Sequence, residues 1–111
     1  MDFLLNGTEG DMDIDSSTAI PGVRVFFPGA LRARVGNRAS VMATGRTVRE
    51  IIDSLEQDFP GLRFNLCHET GELRPYVNIF VDRENIRYLQ GLDTPVSGGV
   101  SIYILQSVAG G

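Results

Sequence analysis

The chain has 111 residues, 42% of them hydrophobic and 22% charged, a composition that indicates one globular domain with its own core. Its net charge of −4 comes from the first twenty residues, which hold five acidic and no basic residues, whereas ten arginines face nine acidic residues in the remainder. The remainder lacks the basic cluster that nucleic-acid binding requires. One cysteine excludes a disulfide framework, and without a membrane-spanning run or secretory signal we expect a cytoplasmic protein.

The amino-terminal region consists of an acidic extension followed by the first predicted hairpin. Residues 1–21 mix acidic residues with Gly, Asn, Ser and Thr, and we expect them to be disordered. Residues 23–27 are rich in β-branched and aromatic residues and predict a first strand, with Phe26 on the face opposite the inward residues. A turn at Gly36 and a weaker strand around residues 39–43 complete the predicted hairpin.

A capped amphipathic helix follows the hairpin. Thr47 is a candidate N-cap, and Glu50 three residues later completes a capping box. The apolar residues that follow recur at helical spacing and form one stripe. They are Val48, Ile51, Ile52, Leu55 and Phe59. Pro60 ends the helix, which we expect to cover one face of a sheet.

The second half of the chain alternates irregular segments with strands. Residues 63–74 are polar and predicted to be irregular, whereas residues 76–81 predict a strong strand. Residues 82–85 are predicted to turn, and residues 86–89 to form a short edge strand. The last strand is predicted at residues 100–105, after a pair of glycines.

This order of elements predicts an α+β domain with a β-grasp arrangement. The expected sheet is mixed, has four to five strands, and carries one main helix packed on one face. The first and last strands are expected to run parallel at its centre, with the helix in the crossover. The domain is predicted to span residues 22–105, and residues 106–111 to form a flexible tail that leaves from a central strand.

The sequence ends in Gly110 and Gly111, which predict a narrow strap because neither residue has a side chain. The carboxylate of Gly111 could therefore enter a narrow active site on another protein. A carboxylate is a poor electrophile, so it must be activated with ATP before its carbonyl carbon accepts sulfur or an amine. A frayed end made of small residues is the alternative interpretation.

Several motifs occur in a fixed order after the helix. They are Arg74 ahead of the strand Val77-Asn78-Ile79-Phe80-Val81, then Glu84 and Arg87, Gly91-Leu92 before Thr94, and the ending Val108-Ala109-Gly110-Gly111. With these motifs the chain, from about residue 23 to residue 111, resembles the ubiquitin-like sulfur carriers of the MoaD/ThiS superfamily. Within that superfamily it is most similar to the CysO-like carriers of cysteine biosynthesis.

The resemblance implies a carrier rather than an enzyme, with no resident cofactor. An ATP-dependent, ubiquitin-activating-like adenylyl- and sulfurtransferase would adenylate Gly111, and sulfur would replace AMP to give a C-terminal thiocarboxylate. In the CysO-like branch the acceptor is a PLP-dependent cysteine synthase, and a zinc peptidase releases the cysteine. The alternatives are a sulfur carrier for molybdopterin, thiamine or a secondary metabolite, a ubiquitin-like protein modifier, and an adaptor with an idle Gly-Gly end.

A candidate docking surface lies on the sheet face opposite the inward residues. It consists of Phe26, Phe80, Tyr103 and Leu105, which a β-grasp strand order would bring together. Exposed apolar clusters often mark interaction sites, and aromatic residues are enriched at interface centres. We therefore expect the activating enzyme or the acceptor synthase to dock here. Ordinary aromatic cover of a sheet, or packing against the amino-terminal extension, is the alternative.

Cys67, His68 and Arg74 are three further candidates for a chemical role. Cys67 and His68 are adjacent in the sequence, but a nucleophilic pair needs a spatial arrangement and a third, orienting group, so both are interpreted as structural or surface residues. One Cys and one His cannot form a structural zinc site, and no metal is expected. For Arg74, steering of the terminal carboxylate, a partner contact and an ordinary surface ion pair all remain open.

Overall fold

The computed structural model describes Ile20 and residues 22–107, which form one mixed sheet with helices on one side. The strands are β1 (Gly22–Phe26), β2 (Ser40–Thr44), β3 (Val77–Val81), β4 (Glu84–Asn85) and β5 (Ser101–Gln106). The α-helices are α1 (Gly29–Arg32), α2 (Val48–Asp58) and α3 (Leu62–Leu66). Short 3-10 helices span Ala33–Val35, Ile86–Tyr88 and Gly91–Asp93.

The strands lie in the order β2-β1-β5-β3-β4. The first and last strands, β1 and β5, are parallel neighbours at the centre, with Val25 opposite Ile102. The other neighbouring strands are antiparallel. A parallel pair needs a long crossover connection, and the chain between β1 and β5 includes α2. The predicted β-grasp arrangement is therefore confirmed.

The start of α2 is capped largely as predicted. Thr47 Oγ1 accepts a hydrogen bond from the backbone N–H of Glu50 at 3.2 Å. The Glu50 carboxylate accepts the backbone N–H of Arg46 at 2.8 Å, one residue earlier than in the standard capping box. Gly45 lies against this turn, where a Cβ would be 2.8 Å from both Glu50 Cβ and Ile51 N. The close passage from β2 into α2 therefore requires a residue without a side chain.

The core lies between α2 and the inner face of the sheet. The stripe of α2 supplies Val48, Ile51, Ile52 and Leu55, all buried, while Phe59 packs at its margin. The strands supply alternate buried residues: Val23, Val25, Val41, Ala43, Val77, Ile79, Ile102 and Ile104. Each large side chain buried here contributes about 1.5–3 kcal/mol before entropy is subtracted. The period-2 pattern therefore leaves the opposite sheet face to the remaining residues of each strand.

The prediction that residues 63–74 are irregular is wrong at their start, where the structure has α3. The Glu56 carboxylate, on the last turns of α2, accepts the backbone N–H groups of Gly61 at 2.9 Å and Arg63 at 2.8 Å. These hydrogen bonds lower the pKa of Glu56, the one from Gly61 most strongly. The cap therefore comes from a neighbouring helix, and five residues are too few to give a periodic signal.

The prediction of an edge strand at residues 86–89 is also wrong. The edge strand is the two-residue β4, and residues Ile86–Tyr88 form a 3-10 helix. Asn85 Oδ1 accepts the backbone N–H of Arg87 at 2.9 Å and so caps this helix. Ile86 is fully buried, which means that the apolar residue serves the core rather than an edge. The short α1 between β1 and β2 was not predicted either.

The ends of the domain are described in part. Strand β5 continues to Gln106, one residue beyond the predicted domain boundary. Apart from Ile20, the predicted acidic extension lies outside the described residues, and so do residues 108–111 of the predicted tail. Within the part of the chain that the structure describes, no helix is long and apolar enough to cross a membrane.

Candidate functional site: the aromatic face and the tail root

Three of the predicted docking residues lie side by side on the sheet face opposite α2. Phe26 on β1 and Tyr103 on β5 are register partners, and their rings stack with centroids 4.9 Å apart and planes inclined by 10°. Phe80 on β3 is the antiparallel partner of the same tyrosine. Tyr103 therefore stands between two phenylalanines. We call Phe26, Phe80, Tyr103 and Leu105 the aromatic face.

The aromatic face is accessible to another molecule. Tyr103 is 39% exposed and Leu105 48% exposed, while the two phenylalanines are half-buried. Met42 on β2 is 53% exposed on the same side of the sheet, because the residues before and after it are buried. Met42 is not among the residues predicted for this surface, although the alternation within β2 is the signal that could have located it.

Strand β5 connects the aromatic face to the C-terminal residues. It ends at Gln106, and the next residue, Ser107, donates its backbone N–H to the carbonyl oxygen of Tyr76 at 2.8 Å. The last residue described by the structure is thus still bonded to the segment before β3. The predicted sulfur-carrying residues, Gly110 and Gly111, lie outside the described residues. We call Ser107 and residues 74–77 the tail root.

The tail root is held by Arg87, to which the sequence analysis gave no role. Its Nη2, which carries two N–H groups, lies within hydrogen-bond distance of three backbone carbonyls, those of Arg74 at 3.0 Å, Pro75 at 3.3 Å and Val77 at 2.7 Å, and its N–H groups are shared among them. Its Nε lies 3.4 Å from Asn78 Oδ1. No period or spacing in the sequence predicts this contact, since Arg87 follows the edge strand and reaches back to the opposite end of β3.

Arg74 makes its contacts within the fold. Its guanidinium carbon lies 4.8 Å from the centroid of the Phe64 ring, and its Nε donates to the Phe64 carbonyl oxygen at 2.9 Å. A cation over an aromatic ring is attracted by the ring quadrupole. These contacts attach the segment before β3 to α3. Within the part of the chain that the structure describes, Arg74 forms no surface ion pair, while carboxylate steering and a partner contact stay predictions.

Cys67 and His68 do not form a nucleophilic pair. Cys67 is 3% exposed, and burial raises the pKa of its thiol, which keeps the thiol neutral and unreactive. It forms an isolated β-bridge with Leu73, whereas His68 is exposed. Among the described residues, no group of three or more His, Cys, Asp or Glu side chains could hold a metal ion. Cys67 is therefore a core residue.

The central parallel strands and the helical crossover define a ubiquitin-like β-grasp protein. The ThiS family model matches residues 25–111. The sulfur carrier protein CysO of Mycobacterium tuberculosis is 38% identical over 91 residues, which are 80% of this chain and 98% of that protein. The chain therefore belongs to the ThiS family, among the ubiquitin-like sulfur carriers of the CysO type.

Two further relatives show the range of this similarity. A chain in the crystal structure of the Amycolatopsis orientalis BexX/CysO complex is 39% identical, with a TM-score of 0.75 over 80% of this chain and 99% of that chain. The small archaeal modifier protein 3 of Haloferax volcanii is 34% identical over 65 residues, which are 59% of this chain and 70% of that protein. The chain is thus similar to proteins named as carriers and to a protein named as a modifier.

Proposed function

We propose that the chain carries sulfur as a thiocarboxylate on Gly111 and is a carrier rather than an enzyme. The observation that supports this most is the position of β5, which is bonded to strands on both sides and followed by the anchored Ser107. Gly111 comes four residues later. Four residues span at most about 14 Å, so the carboxylate lies within that distance of Ser107.

The chemistry follows from the weak reactivity of a carboxylate. The carboxylate oxygen of Gly111 attacks the α-phosphorus of ATP on an activating enzyme, and pyrophosphate leaves. A sulfur nucleophile then attacks the acyl carbon, and AMP leaves. The resulting thiocarboxylate sulfur is a strong nucleophile that stays covalently attached. Glycine at positions 110 and 111 keeps the strap narrow enough for the active site of the activating enzyme.

We propose a PLP-dependent cysteine synthase as the sulfur acceptor and a zinc peptidase as the enzyme that releases the cysteine. Similarity to the sulfur carrier protein CysO over 98% of that protein supports this choice. Carriers for molybdopterin, thiamine or a secondary metabolite would carry the same thiocarboxylate. The acceptor is therefore tested by presenting the thiocarboxylate to the purified synthase and measuring cysteine formation.

We propose the aromatic face as the docking surface for the activating enzyme or the synthase. Tyr103, Leu105 and Ser107 follow one another along β5 and its extension, so a partner that covers the aromatic face lies next to the tail root. Aromatic residues surrounded by a polar rim are typical of interface centres. In a related structure a CysO chain is in a complex with BexX, which supports docking of such carriers onto other proteins.

The test of the proposed function is ATP–pyrophosphate exchange by the activating enzyme of the same organism. We expect the wild-type chain to support exchange and Gly111→Ala to reduce it strongly at an unchanged Tm, because the added Cβ widens the strap. Gly98→Ala is the matched control, since a Cβ there has no heavy atom within 4 Å. Full exchange by Gly111→Ala, or after deletion of Gly110 and Gly111, would contradict the proposal.

A ubiquitin-like protein modifier is the second candidate, supported by the 34% identity to small archaeal modifier protein 3. It would use the same activated Gly111 and join it to lysine amines on target proteins. All ten basic residues of this chain are arginines, so its own side chains offer no ε-amine. Conjugates to lysine would therefore contain another protein, and their mass would reveal it.

A further inference from the structure

We propose that Arg87 is a positioning residue for the C-terminal tail. Its guanidinium holds residues 74–77, this segment anchors Ser107, and the anchor fixes the last described residue before Gly111. The proposal rests on the proposed function, because it assigns to Arg87 an effect on how the Gly111 carboxylate is presented. Neither the family similarity nor the motif that contains Arg87 assigns this role.

The side chain of Arg87 is fixed at its base before it reaches the tail root. Its backbone N–H donates to Asn85 Oδ1 at 2.9 Å, and its Nε lies 3.4 Å from Asn78 Oδ1. Asn85 Nδ2 donates to the same Asn78 oxygen at 3.3 Å. The guanidinium is therefore oriented by two asparagines, one on β4 and one on β3, and its free end is directed at the start of β3.

The carbonyls bound by Arg87 belong to the segment that anchors the tail. Val77 N–H already donates to the carbonyl of Arg74 at 3.0 Å, which closes a tight turn over residues 74–77. Within this turn, Tyr76 accepts the N–H of Ser107 at 2.8 Å, while the carbonyls on either side of it are bound by Arg87. The position of the Tyr76 carbonyl, and hence of Ser107, depends on the guanidinium.

The opposite side of the same segment is held by the helical layer. Arg74 N–H donates to the carbonyl of Leu66 at 2.9 Å, and Arg74 Nε donates to the carbonyl of Phe64 at 2.9 Å. The tail root is therefore clamped between α3 and Arg87. Without Arg87 one side of the clamp is missing, and we expect the segment to remain folded but to sample a wider range of positions.

Arginine is required here for the shape of its donor group. The planar guanidinium holds Nε and Nη2 in one rigid fork, so Nε faces Asn78 Oδ1 while the two N–H groups of Nη2 are shared among the carbonyls of Arg74, Pro75 and Val77. Lysine has the same charge and a similar aliphatic stem but ends in a compact ammonium group. Arg87→Lys therefore keeps the charge and removes the fork, and it is expected to fold even if Arg87→Ala does not.

The first experiment measures amide hydrogen exchange of the full chain by NMR. In Arg87→Lys and Arg87→Ala we expect exchange of the Ser107 amide to be about tenfold faster or more, while amides of the central strands keep their rates. Arg83→Ala is the control, because it removes one arginine from the turn at the other end of β3. An unchanged Ser107 rate in both Arg87 variants would overturn the proposal.

The second experiment measures adenylation with the activating enzyme and the affinity of the two proteins. We expect the Kd to stay within about twofold, because the aromatic face is intact. We expect kcat to fall on the order of tenfold or more in both Arg87 variants, since a misplacement of about 1 Å can cost roughly 100-fold in rate. Full kcat in Arg87→Lys would show that the arginine fork is not needed, and a lower Tm with unchanged kcat would show a purely structural role. Either result overturns the proposal.

The two experiments separate the failure of this proposal from the failure of the proposed function. If the wild-type chain is not adenylated, the carrier function fails, and positioning of an adenylated terminus by Arg87 fails with it. If the wild-type chain is adenylated and the Arg87 variants behave like Arg83→Ala, only the positioning role fails. Faster Ser107 exchange together with a lower kcat supports both.

Discussion

Replacement of Tyr103 by alanine tests whether the aromatic face is a docking surface or ordinary cover of the sheet. Tyr103 is 39% exposed and stacks on Phe26, so its removal exposes part of one aromatic contact and leaves no cavity in the core. Aromatic pairs contribute about 0.5–1.5 kcal/mol beyond burial. With the partial loss of burial, we expect a fall of about 1–2 kcal/mol in the free energy of unfolding, which corresponds to about 5–15 °C in Tm for a domain of this size.

The expected effect on partner affinity is larger than the effect on stability. A central aromatic residue of an interface contributes about 2 kcal/mol or more, which corresponds to roughly a 30-fold increase in Kd when it is truncated. Calorimetric titration of the activating enzyme with wild-type and Tyr103→Ala chains measures this directly. The titration is made well below the Tm of the variant, so that both chains are folded.

Gln57→Ala is the control for this comparison. Gln57 is exposed on α2, in the helical layer rather than on the sheet face, so its truncation changes the surface away from both the proposed interface and the tail root. We expect its Kd to stay within about twofold of the wild-type value. If the Tyr103→Ala chain is folded and binds with an equally unchanged Kd, the aromatic face only shields the sheet from solvent, and the docking interpretation is refuted.

Three further substitutions test the fold that positions this site. Gly45→Ala places a Cβ 2.8 Å from two atoms of α2, and we expect a loss of about 1–3 kcal/mol in chemical denaturation, against little change for Gly22→Ala, whose Cβ has its nearest neighbour at 3.8 Å. Thr47→Ala removes the N-cap and should cost about 1 kcal/mol by the same measurement. Glu56→Gln should lower Tm at pH 7. Because the folded pKa of Glu56 is lowered, its contribution is present above the ordinary carboxyl pKa and is lost as pH falls, so the two Tm values should converge in acid.

The elements predicted from the sequence are those with a strong local pattern. The stripe of α2 and the alternation of β1, β3 and β5 arise because each element buries one face, and the structure confirms these elements within about one residue. The neighbourhood of Phe26, Phe80 and Tyr103 also followed from the sequence, once the central parallel pair was assumed. It depends only on which face each residue occupies and on strand order.

The features that were missed depend on contacts between distant side chains and the backbone. Helix α3 is capped by Glu56 from another helix, and the tail root is held by Arg87 from beyond the edge strand. Asn85 ends β4, and its side chain caps the 3-10 helix that follows. Such a bond between a side chain and the backbone competes with strand pairing, and the apolar pattern of residues 86–89 does not reveal it. None of these contacts has a period in the sequence, so three-dimensional coordinates were needed to find them.

The most direct test of the carrier function is the intact mass of the chain isolated from its native cells under gentle, non-reducing conditions. We expect a species heavier than the unmodified chain by the difference between one sulfur and one oxygen atom, with the change located at Gly111. A series of larger species in which Gly111 is joined to lysines of other proteins would contradict sulfur carriage as the main role and would identify a modifier. A chain that stays unmodified, even after incubation with its activating enzyme, ATP and a sulfur donor, would contradict both.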